Sequence, residues 1–122
     1  MWVYLTDAML SIVAHREQPE ALLVRARFPG DIERVFPAAR VTETPGADYR
    51  FRATLPREAV AQALAAAAQA IDYPNFKATL RSDTQAERER AESYHHAHDA
   101  ALQSQAIVAL AERRPKRFPG GE

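Results

Sequence analysis

Three of the four histidines in this chain stand close together, in the segment ESYHHAHDA that spans residues 92–100. Imidazole nitrogens and carboxylate oxygens are the ligands that zinc and other first-row metals prefer in proteins. On a helix, residues three or four positions apart are neighbours, so His95 lies near both His98 and Asp99. One interpretation of the spacing is a metal site at these three residues, of the kind that a metal-dependent phosphohydrolase or nuclease uses.

A solvated helix face is the alternative interpretation, and polar residues on helices favour it. One helix face supplies two ligands readily, whereas a stable metal site needs a third ligand from another segment. The pair His98-Asp99 resembles the paired ligands of HD-type phosphohydrolases, but this chain lacks the further histidines of that family. On this interpretation the helix buries a heptad-like stripe against its own sheet or against a second copy of the chain. The stripe consists of Tyr94, Ala97, Ala101, Ser104, Val108 and Ala111.

Arginines alternate with apolar residues in two segments, LLVRARF at 22–28 and YRFRATL at 49–55. Because side chains alternate along a strand, the two segments would present four arginines on one face of a sheet, with His15 extending that face. These arginines are Arg25, Arg27, Arg50 and Arg52. Guanidinium groups bind phosphate and carboxylate and stack on bases, so the pattern predicts an anion- or partner-binding face. There are two alternatives. The face is solvated, with its arginines in ion pairs with acidic residues such as Glu43, or it is a protein interface.

The same alternation predicts that Tyr49 and Phe51 point to the opposite face, with the core. A further candidate polar site lies in the connector IDYPNFK at 71–77. Its polar members are Asp72, Tyr73, Asn75 and Lys77. The structural alternative is that Asn75 caps a short helix while Tyr73 and Phe76 pack the corner.

The elements that would position these residues form strands first and helices later. Strands are predicted at 2–6, 9–15, 22–28, 40–44 and 49–55, and helices at 31–36, 57–71 and 84–114. Asp31 is the expected N-cap of the first helix, and Val60, Leu64, Ala67 and Ile71 form the buried face of the second. This order predicts an α+β two-layer sandwich, with a four- to five-stranded, largely antiparallel sheet, helices on one face and a long C-terminal helix. Residues 1–114 are predicted to form one domain and residues 115–122 a disordered tail.

The overall composition excludes several classes of function. Sixteen basic and sixteen acidic residues cancel, so no global field attracts nucleic acid or a membrane surface. The absence of cysteine excludes disulfides and thiolate chemistry, and four glycines do not make a phosphate-binding loop. No catalytic residue and no cofactor are predicted. Neither a signal peptide nor a membrane span is evident in the sequence, which favours a cytoplasmic location.

The segments SIVAHR, LLVRAR, GDIERVFP, ADYRFRATLPREAV and IDYPNFK resemble a family of small bacterial and phage proteins without an assigned activity. The resemblance covers roughly residues 1–80 and implies a small cytoplasmic protein. With the composition, it favours a non-enzymatic binding or regulatory protein, whose partner is a protein, a second copy of the chain or nucleic acid. An inhibitor of host defence is compatible with a phage setting. A metal-dependent phosphohydrolase or nuclease is the alternative.

Overall fold

Five strands form one antiparallel sheet in the computed structural model of the chain, which describes residues 1–115. The strands are β1 (Trp2–Tyr4), β2 (Met9–Ala14), β3 (Ala21–Ala26), β4 (Thr42–Glu43) and β5 (Phe51–Pro56). Their order across the sheet is β1-β2-β3-β5-β4, and each neighbouring pair is antiparallel. The helices are α1 (Asp31–Val35), α2 (Arg57–Gln69) and α3 (Gln85–Glu112), and a short 3-10 helix covers Lys77–Thr79. The predicted α+β fold with a long C-terminal helix is confirmed.

The chain divides into two compact units, of which the first is residues 1–91 and the second is the remainder. Helix α3 begins in the first unit and ends in the second. The first unit contains the whole sheet, α1, α2 and the start of α3. The predicted single domain over residues 1–114 stays a prediction. The predicted tail lies outside the described residues except for Pro115.

One face of the sheet forms the core of the first unit, and α1 and α2 pack against it. Its buried side chains are Leu10, Ile12, Val24, Ala26 and Ala53 from the strands, with Ile32, Phe36 and Val60 from the helical side. Each fully buried Val, Ile or Phe contributes about 1.5–3 kcal/mol of transfer free energy, so these contacts hold the layers together. Ile71 was expected on this face but is exposed, because α2 ends at Gln69.

The opposite face of the sheet carries one row of residues that crosses all five strands. It begins in the hairpin of β1 and β2, where Trp2 pairs with Ser11. A hydrogen bond of 2.8 Å from Leu5 N to Ala8 O closes the turn of this hairpin. Ser11 pairs with Arg25, Arg25 with Arg52, and Arg52 with Thr42. Because Val24 and Ala53, one position along, belong to the core, this row points away from the core.

A capping box begins α3. The backbone N–H of Glu87 donates to the Thr84 hydroxyl at 3.1 Å, and the Glu87 carboxylate accepts from the N–H groups of Asp83 and Thr84. The helix starts and ends within two residues of the predicted limits. No helix within residues 1–115 is both long and apolar enough to cross a membrane.

In the second unit, the buried stripe predicted along α3 extends no further than Ala97. Tyr94 and Ala97 are half-buried, whereas Ala101, Ser104, Val108 and Ala111 are exposed. The prediction that the chain itself buries this stripe is therefore wrong for its last four positions, while burial against a second copy stays a prediction. Alanine and serine bury little apolar area, so most of those positions offer little free energy for packing.

Candidate functional site

Tyr49 is the centre of the arginine cluster on the outer face of the sheet. The guanidinium carbon of Arg25 lies 4.4 Å from the centre of its ring, and that of Arg27 lies 4.0 Å away. The ring is buried, but under these arginines rather than in the core, so the inward orientation predicted for Tyr49 is wrong. The reason is local: β5 begins at Phe51, and strand alternation does not extend to a residue that precedes the strand.

Ser11, Trp2 and Arg27 lie near the phenol of Tyr49 and act on its pKa. Burial by itself raises the pKa of Tyr49. The hydrogen bond with Ser11, the positive charge of Arg27 and the bonds with Trp2 and Arg27 outweigh burial, and they hold the pKa below its ordinary value. The phenol is thus poised to carry negative charge at lower pH than a free tyrosine.

Trp2 adds an exposed aromatic ring beside this cluster. Its side chain is 66% exposed, and it is among the groups that lower the pKa of Tyr49. Ser11, which pairs with Trp2 across the strands, also accepts a hydrogen bond of 2.7 Å from Arg25 Nη2. Sequence reasoning assigned Trp2 only to a strand, because the register of the first hairpin sets its neighbours and could not be read from the sequence.

Three of the four predicted arginines meet at Tyr49. Arg52 joins Arg25 and Arg27 there, since its Nε donates to the Tyr49 carbonyl oxygen at 3.3 Å. Arg50 instead pairs with Glu43, with Nε 2.7 Å from Oε1. Within residues 1–115 no carboxylate pairs with the three arginines at Tyr49. We call Trp2, Arg25, Arg27, Tyr49 and Arg52 the outer-face cluster.

His15 serves the turn between β2 and β3. Its Nδ1 accepts hydrogen bonds from the backbone N–H groups of Glu17 at 3.1 Å and Gln18 at 3.2 Å. That nitrogen is therefore occupied by local structure in this conformation. Within residues 1–115, no contact among those that define the outer-face cluster joins His15 to its residues.

Asp31 forms a second charged cluster, inside the first unit. Its side chain is 0% exposed and accepts from Met9 N at 2.9 Å, from both Nε and Nη2 of Arg90, and from Arg34 Nη2. The N-cap of α1 is Gly30, without a side-chain capping bond, so the predicted capping role of Asp31 is wrong. Its carboxylate is committed to these donors instead. Sequence reasoning missed Arg90, since it lies in the polar run ERERAES without an apolar pattern.

A cleft of about 670 Å³ lies next to the Asp31 cluster, between the turn after β1, α1, the segment after α2 and the start of α3. Asp72 and Tyr73 from the predicted connector site line it, together with Arg34, Arg81 and Arg90. Asn75 and Lys77 do not line this cleft. Asn75 was expected to cap a short helix, but the N-cap of the 3-10 helix is Phe76, with no side-chain capping bond.

The packing predicted for the connector agrees with the position of its aromatic rings. The rings of Tyr73 and Phe76 are 6.0 Å apart and tilted by 55°. The Thr79 hydroxyl donates to the Phe76 carbonyl oxygen at 2.6 Å and closes the turn. Tyr73 therefore both packs the corner and forms part of the cleft wall.

The histidine cluster lies on an exposed part of α3. His98 Nδ1 is 3.5 Å from Asp99 Oδ1, and His96 Nε2 is 3.1 Å from Glu92 Oε1. Tyr94 contacts the rings of His95 and His98. Within the described residues, no group of three histidine, aspartate or glutamate side chains is placed to hold a metal ion. The site at His95, His98 and Asp99 stays a prediction, which elemental analysis of protein purified without chelator tests.

No protein-family model matches the chain, and neither a curated protein nor a solved structure is detectably similar to it.

Proposed function

We propose that the protein is a non-enzymatic binding protein that takes single-stranded nucleic acid on the outer face of its sheet. The observation that carries the proposal is the position of Trp2, an exposed ring beside three arginines that no carboxylate neutralises within residues 1–115. Bases stack on aromatic side chains, and guanidinium groups bind the phosphates between them. Both chemistries lie together in the outer-face cluster.

The geometry favours a single strand over a duplex. A base in a single strand is free to leave its neighbours and stack on a protein ring, and each such stack is worth about 1–3 kcal/mol. Trp2 is suited to this because its ring is exposed and offers a base a face on which to stack. The row of residues that crosses the five β-strands offers the single-stranded nucleic acid a path from Trp2 towards Arg25 and Arg52.

The net charge of zero is compatible with this proposal, because no carboxylate pairs with the three arginines at Tyr49 within residues 1–115. Glu43 is paired with Arg50 and Asp31 with Arg90 and Arg34, so these carboxylates do not offset the arginines at Tyr49. The attraction between these three arginines and the phosphates of a nucleic acid acts over a short distance, and salt screens it. We therefore expect modest, salt-sensitive affinity.

Trp2 is the only tryptophan of the chain, so its fluorescence reports directly on this surface. We expect a single-stranded oligouridylate to quench the emission saturably, with affinity that falls as salt rises. A duplex of the same length should bind more weakly, since its bases are already stacked. Quenching that is absent, or unaffected by salt, would contradict the proposal.

Two variants separate binding from folding. Arg27→Ala and Arg52→Ala each remove one cation from the outer-face cluster, and we expect each to weaken binding several-fold and to reduce the salt slope by about one. Arg57→Ala is the matched control, because Arg57 is exposed at the start of α2 and its side chain donates only to the Pro19 carbonyl oxygen. Equal affinities of all three variants and the parent would mean that the outer face does not bind the strand.

Self-association through the second half of α3 is a second candidate, and it concerns a different surface. Four large aliphatic side chains are more than half exposed within nine residues, namely Leu102 (55%), Ile107 (67%), Val108 (56%) and Leu110 (63%). Exposed apolar side chains of this density are typical of an interaction surface. Sedimentation velocity over a range of concentrations tests it. Ile107→Glu should shift the protein towards the monomer, whereas Gln105→Glu, a control on the same helix, should not.

A further inference from the structure

The cleft beside the Asp31 cluster is large enough for a small molecule. Ligand sites generally occupy about 300–1,000 Å³, and this cleft has about 670 Å³. It lies entirely within the first unit, since its lining residues fall between Thr6 and Arg90. It is also separate from the outer-face cluster, none of whose members lines it.

Three guanidinium groups supply positive charge in the cleft wall. Arg81 is exposed and makes no hydrogen bond or ion pair within residues 1–115, so it is available to a ligand. Arg34 and Arg90 share the single carboxylate of Asp31, which leaves one positive charge uncompensated. Their bonds use Nε and Nη2, so Nη1 of each remains without a partner within the described residues. These groups suit a phosphate.

The remaining lining residues do not suit a bare anion. Asp7 and Asp72 also face the cleft, and neither carboxylate forms an ion pair within residues 1–115. Ionised carboxylates accept hydrogen bonds only, so they call for hydroxyl or amino donors on the ligand. Tyr73 adds an aromatic ring to the same wall. A nucleotide offers a matching group for each of the three features: a phosphate, a sugar diol and a base.

From this combination we propose that the cleft binds a nucleoside monophosphate, with the phosphate at Arg81, the ribose hydroxyls at Asp72 and the base against Tyr73. The buried Asp31 cluster gives the site a fixed wall. Arg90 is 5% exposed and doubly bonded to Asp31, so its remaining Nη1 is held in place before the ligand arrives. Groups that are ordered in advance lose less entropy on binding. Glu87 also lines the cleft, but its carboxylate caps the start of α3.

Isothermal titration calorimetry with AMP, GMP, CMP and UMP, one at a time, tests the proposal. We expect at least one of them to bind with one-to-one stoichiometry. Inorganic phosphate and the matching nucleoside, as separate probes, should each bind more weakly than the nucleotide. Equal affinity for inorganic phosphate would overturn the nucleoside part of the proposal. No heat with any of the four nucleotides at millimolar concentration would overturn it entirely.

Variants locate the ligand. Arg81→Ala removes a charge-assisted contact and should weaken nucleotide binding about 10- to 100-fold, and Asp72→Asn should weaken it less. Arg88→Ala is the matched control, because Arg88 is exposed in the same region but does not line the cleft. Circular dichroism confirms that each variant is folded. All three substituted residues are exposed, so we expect no loss of structure. Unchanged affinity in Arg81→Ala would overturn the assignment.

The outer-face variant Arg27→Ala distinguishes this site from the proposed single-strand site. It should leave nucleotide binding in the cleft unchanged, while Arg81→Ala should leave the quenching of Trp2 by oligouridylate unchanged. If Arg27→Ala abolishes mononucleotide binding and Arg81→Ala does not, the nucleotide lies on the sheet. That outcome overturns the cleft proposal and supports the outer face.

Discussion

Two arginine clusters in the first unit use the same side chain in opposite ways. At Asp31, two guanidinium groups share one carboxylate that is fully buried, and a backbone N–H completes the set of donors. At Tyr49, Arg25 and Arg27 lie over an aromatic ring, and Arg52 donates to a backbone carbonyl. The first cluster pairs a buried carboxylate with two guanidinium groups and leaves one positive charge over. In the second, no carboxylate pairs with the three guanidinium groups within residues 1–115, so all three charges are left for water or for a partner.

The difference indicates that the Asp31 cluster, unlike the outer-face cluster, holds the fold together. A buried charge that loses its partner is costly, because neither water nor protein then compensates it. A guanidinium group over a ring at the surface contributes about 0.5–1 kcal/mol, since water competes for it. Substitutions at Asp31 should therefore act on stability, and substitutions at Arg27 should act on binding.

Asp31→Asn should produce the largest effect. The amide keeps the shape of the side chain but removes the charge that compensates buried Arg90, so we expect the free energy of unfolding to fall by about 3–5 kcal/mol. Urea denaturation followed by circular dichroism measures the change. Glu43→Gln is the control, since it breaks the exposed pair with Arg50 and should cost less than about 1 kcal/mol. Similar losses in both variants would remove the distinction between buried and exposed pairs.

Gly30→Ala comes next, and Gly46→Ala is its matched partner. Both glycines have positive φ, +85° and +84°, so each substitution costs about 1–2 kcal/mol in backbone strain. Only at Gly30 would the new Cβ meet a neighbour, Arg34 Nη1 at 2.9 Å, whereas nothing lies within 4 Å at Gly46. Because Arg34 is tied to Asp31 and to the Asp7 carbonyl, Gly30→Ala should lose more stability in urea denaturation. Equal losses would show that Arg34 moves aside freely.

The strands of the sheet could be predicted from alternation, because one face must be buried and the other need not be. Val24 and Ala53 lie in the core as the pattern of their strands predicts, and Arg25 and Arg52 lie opposite each other on the outer face. The pattern fails at Tyr49, which precedes its strand, and at Ile71, which follows its helix. Periodicity holds only inside an element, and element ends are where it is least informative.

The partners of charged side chains could not be predicted in the same way. Asp31 and Arg90 are 59 positions apart, and no local pattern connects them. An aspartate after a glycine at the start of a helix favours an N-cap, so the local signal pointed away from the buried pair. For the same reason the cleft was only partly anticipated: Asp72 and Tyr73 are adjacent in sequence, but Arg34, Arg81 and Arg90 join them through the fold.

Arg27→Ala should have a much smaller effect on stability than either change at the Asp31 cluster. It removes one cation over the Tyr49 ring, and we expect the free energy of unfolding to fall by less than about 1 kcal/mol. Urea denaturation under the same conditions as for Asp31→Asn measures it. A loss of several kcal/mol would mean that the outer-face cluster is part of the structural framework, and the contrast between the two clusters would fail.

The titration of Tyr49 gives the smallest effect and the sharpest view of the outer-face cluster. Among the four tyrosines, Tyr49 should ionise below the ordinary pKa of about 10, because Ser11 and Arg27 favour its charged form despite burial. The folded state then releases this proton at lower pH than the unfolded state. The resulting stabilisation therefore grows as pH rises from the lowered pKa to the ordinary one, is fully present above that, and is lost as pH falls through the lowered pKa. Ultraviolet difference spectra measure the ionisation of Tyr49, and the Tyr49→Phe variant assigns the transition. Arg27→Ala should shift the pKa of Tyr49 upward. A transition that Arg27→Ala leaves in place would show that the Arg27 charge does not act on the phenol.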